Sequence, residues 1–324
     1  MKRYQSVTDA FSKPMDFKKD NKIIFDGDEL PLINDQIPDF TSGKFDKVTE
    51  TIAEFYNVVK FPNYDDVEDF ISLFDKGRRS LFSRRLDDEI GWNKNILELG
   101  CGTGQLSLFL SRGNSRTIYA VDLSERSLVL GEEFRKKNEI DNVYFLRSDV
   151  FDLKFQKNYF DFVVSNGVLH HTKDAEAAFR NLVDVTKPGG FLVIGLYHKY
   201  GRTMTRVKQK LATVLGDKII FFDKTLRLMK NDAKKFAWMK DQFFNPHETH
   251  HLPGEVLSWF QSSGVDFINL FPFFDLNAVE LFEPQTKPST VSLFINDLLL
   301  GIDQRQISEG GFFIVVGRKR SIVP

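Results

Sequence analysis

At 324 residues the chain is long enough for one large domain or two small ones with a full core. Lys and Arg number 44 against 45 Asp and Glu, and the net charge of −1 argues against a global basic field for nucleic acid. The single cysteine, Cys101, excludes an internal disulfide and a Cys-rich zinc site. No apolar run reaches the roughly 18 residues of a membrane span, and MKRYQSVTDAF at the start has no apolar core of an export signal, so a cytoplasmic location is expected.

Residues 1–45 are polar and weakly periodic. Ile23–Phe25 and Leu30–Ile33 flank Asp26-Gly27-Asp28, which reads as a hairpin turn, so a leader or a small hairpin module is expected here. Residues 46–94 carry helical patterns. Thr49–Val59 puts Ile52, Phe55, Tyr56 and Val59 on one face, and Asp66–Leu86 reads as one longer helix with Phe70, Leu73, Phe74, Leu81 and Phe82 at helical spacing.

The most informative stretch is Ile96–Leu110, ILELGCGTGQLSLFL. It passes from an apolar strand through Glu98 and three alternate glycines, Gly100, Gly102 and Gly104, into an apolar helical pattern. Glycine suits backbone that takes positive φ or lets a ligand come close, although such a turn can also exist with no ligand. Gln105 stands where the dinucleotide fingerprint G-x-G-x-x-G needs its last glycine, which disfavours a nicotinamide-dependent oxidoreductase. Further strands follow, each with polar residues at its end. Thr117–Val121 ends in Asp122-Leu123, Val143–Leu146 is followed by Ser148-Asp149-Val150, and Phe160–Ser165 leads into Asn166-Gly167-Val168-Leu169-His170-His171. An acid about 20 residues past the glycines, at a strand tip, is placed to accept from ribose hydroxyls. Helical patterns at Glu125–Lys137 and Asp174–Val185 complete βαβ units and imply a parallel sheet with right-handed crossovers.

Lys187-Pro188-Gly189-Gly190 precedes a fifth strand, Phe191–Leu196. Residues 199–252 are again helical in pattern: Arg202–Leu215, Ile219–Met229 and Asp232–Lys240. The first of these carries Arg202, Arg206, Lys208 and Lys210 just after Lys199. A solvated face is the expected reading, with an anionic substrate or a membrane surface as the alternative. His247, His250 and His251 crowd into five residues, but Pro246 and Pro253 argue against one continuous helix there. The chain closes with a helix before Ser263, a strand at Phe267–Phe271, a helix at Val291–Leu300 and a last strand at Gly311–Arg318.

Taken together, Glu98–Gly104, Asp122, Asp149, the NGVLHH run and the KPGG turn resemble class I S-adenosylmethionine (SAM)-dependent methyltransferases, closest to the small-molecule branch whose fourth strand ends in VLHH. The resemblance runs from Ile96 to about Tyr197 and implies a Rossmann-like α/β fold. Its seven-stranded sheet is mostly parallel with an antiparallel last strand, and it carries a helical N-terminal extension and a helical lid. The implied division is 1–45 leader or hairpin module, 46–94 helical cap, 95–198 with 253–320 the SAM-binding domain, and 199–252 an insertion over the acceptor. It implies SAM contacts from Glu98, Gly100, Cys101, Gly102, Gly104, Asp122, Leu123, Asp149, Val150 and Asn166. Asp122 would meet the ribose, Asp149 the adenine amino group, and Glu98 the loop or the amino-acid end of the ligand. Tyr56, Phe61 and Tyr64 either line the rim of that pocket or staple helices to the core. No metal is expected, and the histidine-rich stretch is expected to line the acceptor pocket. A protonated acceptor needs a base, for which His171 is the first candidate and His247 the next, although His171 could equally order its loop. The implied activity is methyl transfer to a small-molecule or lipid-like acceptor, for instance a quinone type. A regulatory SAM-binding protein, or a methyltransferase acting on RNA or protein, is the alternative.

Overall fold

The computed structural model of the chain describes residues 2–18, 22–41, 43, 45–59, 64, 67–113, 115–216, 218–219, 223, 226–227, 229, 231–302 and 311–321. One seven-stranded sheet organises them: β1 (Asn95–Leu99), β2 (Thr117–Asp122), β3 (Val143–Arg147), β4 (Phe160–Asn166), β5 (Thr186–Tyr197), β6 (Val265–Phe271) and β7 (Phe312–Lys319). Their spatial order is β6-β7-β5-β4-β1-β2-β3. The pairs β1·β2, β1·β4, β2·β3 and β4·β5 are parallel, while β7 runs antiparallel to both β5 and β6. This is the Rossmann-like class I methyltransferase sheet expected from the sequence, with β7 inserted between β5 and the edge strand β6.

The strands read as continuous apolar runs because both sheet faces are buried. Alternate residues serve alternate cores. Leu97, Leu99, Val121, Val163 and Ile194 face one core, and Ile96, Ile118, Ala120, Val164 and Val193 face the other. The first core is closed by α6 (Ala175–Val185) and α9 (Pro253–Ser262) through Phe179, Leu182 and Phe260. The second is closed by α2 (Phe70–Arg79), α3 (Leu81–Glu89), α4 (Gln105–Leu110) and α5 (Glu125–Lys137). Ser124 caps α5 by accepting from Ser127 N, and Asp174 caps α6 by accepting from Ala177 N.

The single helix expected over Asp66–Leu86 is two, and Asp66 lies outside the described residues. Ser80 is extended (φ −76°, ψ 118°), ends α2 and starts α3, and its hydroxyl accepts from Ser83 N. A serine that can cap is as good a break point as it is a helix residue, and the cap wins here. Ahead of them lies α1 (Lys47–Val58), capped by Asp46.

The polar N-terminal stretch packs into the first core through Tyr4, Val7, Phe11 and Phe40. Tyr4 donates its hydroxyl proton to the Phe145 carbonyl at 2.7 Å, and Phe11 stacks on Phe40 and Phe155 at 5.2 and 5.4 Å. The hairpin Ile23–Phe25/Asp28–Leu30 turns at Asp26 and Gly27, both with positive φ, as the D-G pair requires.

Residues after β5 build a separate small core, in which α7 (Thr203–Leu215) packs on α8 (Asp232–Phe244) through Ala212, Met239 and Phe243. The helix expected over Ile219–Met229 falls largely outside the described residues. The last helix, α10 (Thr290–Ile302), is tied to the end of β5 through His198, whose Nε2 meets Asp297 Oδ1 at 2.9 Å. Among the described residues no helix is long and apolar enough to cross a membrane.

Candidate active site

The strand tips of β1, β2, β3 and β4 surround a cavity of about 530 Å³, roofed by α1, α2 and α8. Ligands collect at this edge of an open α/β sheet because the loops diverge there. Glu98, Gly100, Cys101, Gly102, Asp122, Leu123, Asp149, Val150, Asn166 and His171 all line it. Gly104 does not. It caps α4 at φ 76°, and a Cβ there would meet the Phe145 ring at 2.4 Å, so its role is to let α4 start against the sheet.

The loop is held from inside. Gly102 N donates to Asp122 Oδ2 and Ser124 N to Asp122 Oδ1, each at 2.7 Å. Burial raises the Asp122 carboxyl above its ordinary range, and the backbone donors of Ser124, Gly102 and Leu123 oppose this. Each carboxylate oxygen keeps a second lone pair. Glu98 is buried, accepts from Ser107 Oγ at 2.5 Å, and is pushed by burial up to about 7. Burial also raises the Asp149 carboxyl, which accepts from Phe151 N at 3.0 Å. Cys101 is buried and its thiol is driven well up by burial, so it packs under the loop and is no nucleophile.

These residues fit SAM. Two positive-φ glycines, Gly100 and Gly102, bring bare backbone to the cavity wall, and Asp122 offers lone pairs where ribose hydroxyls would sit. Glu98 is a cavity-facing carboxylate with no cationic partner among the described residues, the environment an α-ammonium group would complete.

The opposite wall is built by parts far apart in sequence. Tyr56 of α1, Tyr197 at the tip of β5, and Trp238, Asp241 and Gln242 of α8 line it beside His171. Tyr56 donates to Asp241 Oδ1 at 2.8 Å, and Gln242 Nε2 donates to the Tyr197 hydroxyl at 2.9 Å. Burial raises both phenols well above their ordinary value, so both remain protonated. Tyr64 lies off the wall: it stacks on Phe134 at 4.5 Å and donates to Thr103 O at 2.7 Å, bracing the glycine loop. Phe61 lies outside the described residues.

His171 is buried in this wall. Its Nδ1 donates to the His247 carbonyl at 2.7 Å, which leaves the lone pair on Nε2. Burial lowers its pKa, outweighing Asp241 and the His247 carbonyl, so the ring is neutral near pH 7. His247 itself does not line the cavity; its Nε2 meets the Thr172 carbonyl at 3.1 Å. His250 pairs with Glu248 at 2.7 Å, and His251 lies between Thr249 and Glu255.

Arg202 overturns its expected place on a solvated helix face. It is fully buried, lies 3.6 Å above the Tyr197 ring, forks onto Glu248 at 2.6 and 3.1 Å, and donates to Gln242 Oε1 at 2.6 Å. It stands at the entry to α7 rather than along it, and there it turns inward onto a buried carboxylate. The sequence signal for Tyr197, Asp241 and Gln242 was only their position, at a strand tip and beside the histidine-rich stretch.

A family model described as a methyltransferase domain matches residues 97–194. Demethylmenaquinone methyltransferase of Staphylococcus aureus is 28% identical over 222 residues, covering 67% of this chain and 84% of that protein. A ubiquinone/menaquinone biosynthesis C-methyltransferase of Vibrio campbellii is 25% identical over 235 residues, covering 67% and 89%. In fold, the chain is similar to PKMT2 of Rickettsia typhi, with TM-score 0.53 at 15% identity over 75% of this chain and 53% of that one. The same protein in complex with AdoHcy gives a TM-score of 0.52 at 16% identity, again over 75% and 53%. With the glycine loop and the strand-tip acids at one cavity and a methyltransferase domain matched over them, the chain carries a SAM-dependent methyltransferase domain similar to class I enzymes of the small-molecule type.

Proposed function

We propose that the protein methylates a ring carbon of a quinol-type, lipid-like acceptor, with His171 as the base that takes the phenolic proton. The observation that carries this reading is the fixed tautomer of His171: Nδ1 is held by the His247 carbonyl, and Nε2 has no hydrogen-bond partner among the described residues while the ring lines the cavity. A neutral imidazole with its lone pair free is a general base at physiological pH. Removing a proton from a phenolic hydroxyl raises electron density at the ortho and para ring carbons; the carbon that takes the methyl group, as the sulfonium C–S bond breaks, then loses its own hydrogen as a proton to water, which restores the aromatic ring. Tyr197 stays protonated and, accepting from Gln242, keeps its own proton to donate to the acceptor's second oxygen, while Ile52, Leu73, Phe82, Leu106 and Phe312 supply apolar wall for its ring and tail.

Asp122, Asp149, Glu98 and the Gly100–Gly102 backbone would hold SAM, which would supply a methyl group already activated on a sulfonium. What remains to this chain is alignment and proton removal. The Staphylococcus and Vibrio relatives are named as a demethylmenaquinone methyltransferase and a ubiquinone/menaquinone biosynthesis C-methyltransferase, which favours a quinone-derived ring, taken in its reduced form, over other protonated acceptors. The test is methyl transfer from isotopically labelled SAM to a reduced demethylnaphthoquinone with a short prenyl tail, with the product analysed by NMR. Label on a ring carbon supports the proposal. Label on oxygen, or no label with SAM binding intact, overturns it.

A further inference from the structure

Two helices outside the cavity turn apolar side chains to solvent. On α7, Met204, Val207, Leu211 and Val214 follow each other at steps of three, four and three residues, which is one helical stripe, and all four are exposed, Val214 by 83%. On α10, Val291, Phe294, Ile295, Leu298 and Leu299 repeat at helical spacing and are likewise exposed, Phe294 and Leu299 by 58%. A stripe of this kind normally faces a core, and here each helix uses a different face for that. Ala212 of α7 packs on α8, and Leu293 of α10 packs into the core under the sheet.

The middle of α10 and the entry to α7 are tied together at one residue. His198 Nε2 holds Asp297 of α10, while its Nδ1 accepts from the backbone N–H groups of Tyr200 and Gly201, which lead into α7. Tyr200 is itself exposed. Charge is one-sided. From Lys199 to Leu215 the chain has five basic residues and no acid, in a protein whose net charge is −1. Arg202 is buried and Lys208 is paired with Asp223, but Lys199 and Lys210 are exposed. The only acid on α10, Asp297, is the buried partner of His198.

We propose that the outward faces of α7 and α10 form one docking surface for an anionic lipid bilayer, with the apolar stripes in the acyl boundary and Lys199 and Lys210 on the headgroups. Apolar stripe plus flanking cations is the pattern of a helix that lies in a membrane interface. Neither helix offers a free acid to meet the exposed lysines of a second copy, which disfavours a second chain as the occupant. The lid thereby meets the bilayer with one face of its α7–α8 pair while α8 lines the cavity with another, so the surface and the acceptor wall belong to one small unit. This inference rests on the surface alone and not on the identity of the acceptor.

The test is co-sedimentation of the full chain with vesicles of phosphatidylcholine alone and of phosphatidylcholine with phosphatidylglycerol. Binding to the anionic vesicles is expected. Lys199→Glu with Lys210→Glu should weaken it by about tenfold or more, from roughly fivefold per charge, and Val207→Asp with Leu211→Asp should abolish it. SAM binding and far-UV circular dichroism should stay as in wild type. If the α7 pair unfolds the lid, Phe294→Asp with Leu298→Asp on α10 carries the same expectation. No preference for anionic vesicles, or binding that survives these variants, overturns the proposal. So does a dimer, seen by light scattering, that the α7 variants dissociate while vesicles bind nothing.

Discussion

His171 donates its Nδ1 proton to the backbone carbonyl of His247, 76 positions further along the chain, at 2.7 Å. A carbonyl can only accept, so this one contact settles the tautomer of the buried ring and directs its basic nitrogen toward the cavity. The pH dependence follows. Burial lowers the His171 pKa below its ordinary 6.5. In the proposed role of base it would act when unprotonated, so kcat/KM should be flat above 6.5 and fall only as the pH drops through the lowered value. A rate profile measured at saturating SAM checks this. A limb above 6.5 would assign the base elsewhere.

Glu98 should report SAM binding by releasing a proton. Its carboxyl titrates at about 7 because it is buried, with only Ser107 donating to it. An ammonium group beside it would pull that value down. At pH 7 about half a proton should therefore leave on binding. Calorimetry in buffers of different ionisation enthalpy reads the number directly, and Glu98→Gln should remove it. Heats that do not depend on the buffer would place the ligand's charged end away from Glu98. The same shift has a consequence for the free protein. A carboxyl whose folded pKa is raised binds its proton more tightly in the native state. Its contribution to stability is therefore full below the unfolded value of 4.5 and is lost as the pH rises through 7.

Asp122→Ala should raise the SAM Kd by about 10- to 100-fold, the size of one or two hydrogen bonds to a charged group. The loss would have two parts, since the carboxylate accepts from Gly102 N and Ser124 N and would also accept from the ligand. Asp122→Asn keeps an acceptor for one of these and should fall between. Titration with SAM and S-adenosylhomocysteine measures both. An unchanged Kd in the alanine variant would remove Asp122 from the ribose site.

Arg202 and Glu248 should behave as a buried pair. Arg202→Met leaves the Glu248 carboxylate without its fork of donors in a buried site, at a cost of about 3–5 kcal/mol of stability. Adding Glu248→Gln removes the stranded charge and should recover part of that. Urea unfolding followed by tryptophan fluorescence measures both, Trp238 lying on the same helix as Gln242, which accepts from Arg202. A loss below about 1 kcal/mol for Arg202→Met is what a solvated surface charge would give.

The cofactor side was legible in the sequence because its signals are local. A strand, alternate glycines and an acid at the next strand tip lie within 28 residues, Asn95 to Asp122, and each has a backbone reason to be there. The acceptor side was not. Tyr56 meets Asp241 across 185 positions, and neither residue type says on its own that it faces a cavity. Arg202 looked like its neighbours Arg206 and Lys210, and only the buried Glu248 distinguishes it. Composition also hid how residues 1–45 are anchored to the sheet. Their polar average conceals Tyr4, Phe11 and Phe40, whose burial depends on an aromatic cluster with Tyr144 and Phe155 that no local period reveals.

The most direct measurement is single-turnover methyl transfer from labelled SAM to a reduced demethylnaphthoquinone by wild type and His171→Gln, with the SAM Kd determined on the same samples. The expected result is transfer by wild type and a fall of about 10²- to 10⁴-fold in the variant at an unchanged Kd, the span typical of one lost general base. A His171→Gln protein that transfers the methyl group at the wild-type rate would contradict it.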